Sequence, residues 1–91
     1  MSVARAGQAQ VIFFDRPGFQ LVLRLRARPG YVRAVLELNG APVRSARRPT
    51  LTSALRWALT LSQRLLDVFG QRPPTIDLSE VLRQVARQLA A

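Results

Sequence analysis

Residues 19–38 read FQLVLRLRARPGYVRAVLEL, and their alternation decides the fold. Phe19, Leu21, Leu23, Leu25 and Ala27 fall on one side, while Gln20, Val22, Arg24, Arg26 and Arg28 fall on the other. Successive side chains of an extended chain point to opposite faces, so the pattern describes a half-buried strand. The second half repeats it with Val32, Ala34, Leu36 and Leu38. Pro29-Gly30 between the halves makes a turn, because proline presets φ and glycine takes positive φ at no steric cost. Pairing Arg28 with Tyr31 sets Ala27 opposite Val32, Leu25 opposite Ala34, Leu23 opposite Leu36 and Leu21 opposite Leu38. Every pair is apolar, which fixes the register. The other face then pairs Arg26 with Arg33, a contact that sheet stability alone does not select.

Working outward, residues 1–8 are expected to form a flexible tail and residues 9–91 a single domain. A first strand runs from about Ala9 to Phe14, rich in apolar side chains. Arg16-Pro17-Gly18-Phe19 and Arg28-Pro29-Gly30-Tyr31 are near copies, one turn used twice. Asn39-Gly40 fits a type I′ hairpin, whose central residues both need positive φ, and leads to a fourth strand from about Ala41 to Arg47. Four strands joined by short turns make an antiparallel meander.

The second half is helical. A helix capped by Thr50 or Thr52 runs to Phe69, with Gly70 as its left-handed stop. Leu51, Leu55, Ala58, Leu59, Ser62, Leu65, Leu66 and Phe69 share one face; Trp57, Leu61 and Val68 form a second stripe. Together they exceed what one sheet buries, and the C-terminal helix is the expected cover for the Trp57 stripe. Asp77 and Glu80 stand at capping-box spacing, and Ile76 and Val81 at the spacing of a hydrophobic staple. That helix runs to about Leu89, with Leu78, Val81, Leu82, Val85 and Leu89 on one side. Such a stripe suits docking on the rest of the chain or a dimer seam. The expected class is α+β: a four-stranded antiparallel meander, a long helix on one face and a shorter C-terminal helix. Four strands followed by a helix resemble the topology of the PC4 and Whirly single-stranded-DNA-binding folds, a likeness of fold that does not carry function.

The chain of 91 residues carries 14 basic residues, all arginine, against 5 acidic ones, for a net charge of +9. That balance favours a polyanionic partner, nucleic acid first. An arginine-for-lysine coding bias explains the identity of the cation equally well, so the excess of charge is the informative part. There is no cysteine and no histidine, which removes thiolate chemistry and the commonest general base and metal ligand. Asp15, Asp67, Asp77 and Glu80 have turn, helix-surface or capping explanations, and Glu37 stands among arginines as an ion-pair partner. No Walker or dinucleotide pattern is present. The reading is therefore of a protein that is not an enzyme and uses no cofactor or metal. The apolar runs are too short for a signal peptide core or a membrane span, so a cytoplasmic location away from membranes is expected.

Carried across the sheet, those turns predict outer-face rows of Phe13, Val22, Glu37 and Pro42; then Val11, Arg24, Val35 and Arg44; then Ala9, Arg26, Arg33 and Ala46; then Arg28, Tyr31 and Arg48. Arg24, Arg26, Arg28, Arg33, Arg44 and Arg48 would contact phosphates, with Tyr31 stacking on a base. The expected partner is DNA or RNA, single-stranded in preference, bound by a homodimer. The alternative is a protein–protein module or small regulator that docks a partner or second copy through the sheet face or the helical residues Trp57, Leu61, Val68, Leu82, Val85 and Leu89.

Overall fold

A computed structural model describes residues 7–90. The strands are β1 (Gln8–Arg16), β2 (Phe19–Arg28), β3 (Tyr31–Leu38) and β4 (Ala41–Arg48); the helices are α1 (Leu51–Val68) and α2 (Leu78–Ala90). The strands form one antiparallel sheet in the order β1-β2-β3-β4, giving the expected meander and α+β class. Of the expected tail, residues 1–6 lie outside the described residues. Its last two are held: Gly7 donates to the Leu89 carbonyl and accepts from the Ala27 amide, and Gln8 begins β1.

The hairpin of β2 and β3 has the expected register throughout, from Leu21 opposite Leu38 to Arg28 opposite Tyr31. Its turn places Gly30 at φ 82°, as the second central position of a type II turn requires. At the next turn Asn39 itself takes φ 51°. Its side chain also accepts from the Gln20 amide at 2.8 Å and donates to the Gly18 carbonyl at 3.2 Å, tying two turns together.

Both outer strands depart from the expected register by one residue. β1 carries an extra residue between Ile12 and Phe14, so Phe14 pairs with Leu21 while Ile12 pairs with Val22. The bulge lets Phe13 and Phe14 both enter the core. It also turns Ala9 and Val11 inward, opposite Leu25 and Leu23, and leaves Gln8, Gln10 and Ile12 outside. In β4 the extra residue is Val43, between Pro42 (opposite Glu37) and Arg44 (opposite Leu36). Val43 and Ala46 are separated by an odd number of positions, so an unbroken strand cannot turn both toward the core. The bulge resolves that conflict.

Both helices cover the same sheet face, α1 over β3 and β4 and α2 over β1. Leu21, Leu23, Leu36, Leu55, Leu66 and Val85 are fully enclosed between the layers. Thr50 caps α1, accepting from the Ser53 amide at 3.1 Å. The helix ends in a Schellman arrangement: Gln71 donates to the Leu66 carbonyl and Gly70, at φ 69°, to that of Asp67.

The entry to α2 uses half of its capping box. Asp77 Oδ1 accepts from the amides of Ser79 and Glu80, but the Glu80 carboxylate turns forward to Arg83 at 2.6 Å instead of back. Ile76 and Val81 both join the core. At the far end Gln88 grips the rim of the sheet. Its Oε1 accepts from the Gln10 amide at 2.8 Å and its Nε2 donates to the Gln10 carbonyl at 3.1 Å. One side-chain amide thus takes the outward-facing backbone groups that a neighbouring strand would otherwise take.

The apolar stripe of α2 is spent on docking. Val85 is fully buried within its own chain, and Leu82 and Leu89 pack against the same core. Of these expected interface residues Val85 is enclosed, while Leu82 and Leu89 are half-buried. The expectation that α2 covers Trp57 fails. α2 takes the β1 side, and Trp57 and Leu61 instead line a groove with Arg48, at the end of β4. No described helix is long and apolar enough to cross a membrane.

Candidate nucleic-acid interface

The sheet face turned away from the helices carries the arginines of β2. Its rows follow from the observed registers. Ile12, Val22, Glu37 and Pro42 form one; Gln10, Arg24, Val35 and Ser45 the next; Gln8, Arg26, Arg33 and Arg47 the third. Arg28 and Tyr31 close the end beside the second turn. Charge is therefore graded along the strands, from Glu37 at one end to arginines at the other.

Arg24, Arg26, Arg28, Tyr31 and Arg33 lie on this face as expected. Arg44 and Arg48 do not. The Val43 bulge shifts β4 by one position, so Arg44 stands opposite Leu36 and Arg48 opposite Val32, both on the helix side. Arg47 takes their place on the outer face. Its guanidinium carbon lies 5.3 Å from the centroid of the Tyr31 ring, a cation–π contact. The signal that could have found Arg47 was the odd spacing of Val43 and Ala46.

The β1 bulge changes the chemistry of the face as well. Instead of Ala9, Val11 and Phe13, the face carries Gln8, Gln10 and Ile12, and the two glutamines flank the arginines. Arg24 donates through Nε to Glu37 at 2.8 Å and through Nη1 to Gln10 Oε1 at 3.0 Å. With the Gln8 amide turned oxygen-first, Arg26 donates to it through Nη2 at 2.9 Å. Arg24 is thereby neutralised, and Arg26 is oriented but keeps its charge. Among the described residues, Arg28, Arg33 and Arg47 have no salt-bridge partner. The central row sets Arg33 between Arg26 and Arg47.

No protein-family model, no curated protein and no solved structure matches this chain.

A second basic region lies on the helix side. Arg48, Ser53, Arg56, Trp57, Thr60, Leu61 and Arg64 line a groove of about 370 Å³ beside β4. Arg48 Nε is buried there without a hydrogen-bond partner. Val68 lies further along α1, 78% exposed. Among the described residues no cluster of His, Cys, Asp and Glu could hold a metal ion.

Proposed function

We propose that the protein is a non-enzymatic nucleic-acid-binding protein that holds single-stranded DNA or RNA across its outer sheet face. The observation that carries this is the row Arg26, Arg33 and Arg47, like charges set directly opposite one another on a face that neither helix covers. Such a row costs folding energy and is retained where a polyanion neutralises it. Arg28 lengthens the cationic end. Tyr31 with Arg47 supplies a stacked platform, since bases stack on guanidinium planes as well as on aromatic rings. Arg24, tied to Glu37, positions its neighbours and contributes little net charge.

A labelled-oligonucleotide titration at several salt concentrations tests the reading. Contact with about four phosphates gives a slope of log K against log salt near −3. The double reversal Arg26→Glu with Arg33→Glu removes binding. Binding that survives this reversal would refute the outer face as the site.

The second reading is a homodimeric protein–protein module. It is favoured by Val68 and by Phe69, which is 52% exposed although its ring centroid lies 5.2 Å from that of Phe19. A solution mass of twice 10.2 kDa, lost on Val68→Glu, supports it. The two readings are compatible, because this patch and the arginine row use different residues.

A further inference from the structure

The outer arginine row does not stop at the edge of the sheet. Arg47 and Arg48 are adjacent in β4, and adjacent strand residues point to opposite faces. Arg47 ends the outer row, while Arg48 opens the groove on the helix side. The cations therefore continue around the rim of β4 to Arg56 and Arg64 on α1. The groove lining holds those arginines, the Trp57 ring and Leu61, and no carboxylate.

We propose that this groove is a nucleotide-binding subsite: a strand lying on the outer face wraps the β4 edge and places a base against Trp57, with its phosphates on Arg48, Arg56 and Arg64. The inference rests on the nucleic-acid reading above and extends it to a second face. Three observations select the occupant. A π-surface beside guanidinium groups matches a base joined to a phosphate, and an acidic peptide offers only the anion. The groove volume falls within the range of about 300–1,000 Å³ typical of small-ligand sites. The Arg48 guanidinium has no protein acceptor among the described residues, its Nε enclosed, and a phosphate oxygen against its outer nitrogens supplies one. The β4 rim also leaves the path clear. Among the described residues, the backbone of 44–48 makes no backbone hydrogen bond outside the strand ladder.

The chain has one tryptophan, so its emission reports on the groove alone. The full chain is titrated with unlabelled thymidine oligonucleotides of five and twenty residues, with affinity followed in parallel by anisotropy of a labelled twenty-mer. The twenty-mer is expected to quench Trp57 emission by half or more at saturation. Arg56→Glu with Arg64→Glu, both exposed positions, should abolish the quench and weaken twenty-mer binding at least tenfold at an unchanged melting temperature. Arg33→Glu should weaken binding yet keep the quench at saturation.

Twenty-mer binding with no change in Trp57 emission, and with unchanged affinity in the Arg56/Arg64 variant, would overturn the groove while leaving the outer face intact. Absence of binding by any oligonucleotide would overturn both. Polyglutamate that quenches as strongly as the twenty-mer would overturn the subsite by reducing it to a general anion surface.

Discussion

Arg33 is the residue at which folding and the proposed function pull in opposite directions. It stands directly opposite Arg26 on β2 and Arg47 on β4. Two unit charges about 7 Å apart in water, taken as an order of magnitude for facing guanidinium groups, interact by about 0.6 kcal/mol. Arg33→Glu reverses the sign of two such contacts, a gain of about 2.4 kcal/mol before screening. Salt at 0.15 M, with a Debye length of about 8 Å, reduces this to about 1 kcal/mol. For a domain of this size that raises the melting temperature by about 4–8 °C. Arg33→Gln, which removes the repulsion without adding attraction, should give about half. Thermal unfolding followed by circular dichroism at 10 mM and 0.5 M salt measures both terms. The advantage of the Glu variant should shrink at high salt, and its oligonucleotide affinity should fall. A Glu variant no more stable than the Gln variant, or a gap indifferent to salt, would refute the row as an electrostatic cost.

Other substitutions probe the frame. Ser62 is 2% exposed and its hydroxyl has no hydrogen-bond partner, so Ser62→Ala should stabilise by about 1 kcal/mol in urea unfolding. Gln88→Ala removes two hydrogen bonds from the β1 rim and should cost about 1–2 kcal/mol, read most directly as faster hydrogen exchange at the Gln10 amide. Val85→Asp buries a charge in the core, and a loss above about 3 kcal/mol in the isolated chain separates docking from a dimer seam. Asn39→Ala strains the φ 51° turn and breaks its side-chain bonds, which should lower stability by about 1–2 kcal/mol.

The central hairpin was fully legible because two independent signals agree there. Strict alternation runs through both strands, and a Pro-Gly turn sits between them. The outer strands were not legible by extrapolating that register. Each contains apolar residues at odd spacing, Val11 and Phe14 in β1 and Val43 and Ala46 in β4, and each accommodates them with one extra residue. A single bulge exchanges the faces of every residue beyond it. That is why Arg44 and Arg48 left the outer face, Arg47 joined it, and Gln8, Gln10 and Ile12 replaced the Ala9, Val11 and Phe13 expected from β1. The helices were legible from their caps and stripes. The sideways placement of α2, over β1 instead of against Trp57, brings Gln88 to Gln10 and Val85 into the core, contacts between positions far apart in the chain with no local signature.

The Gln88 clasp also constrains how copies of this chain can assemble. It occupies the first part of the β1 rim, and the Phe13 bulge interrupts the rest. An added strand therefore meets fewer free backbone groups at the β1 margin than at β4. Growth from a single margin is self-terminating: two copies joined at β4 form a closed two-fold pair, and no free β4 edge is left to recruit a third. Pairing through β4 alone would therefore stop at two copies.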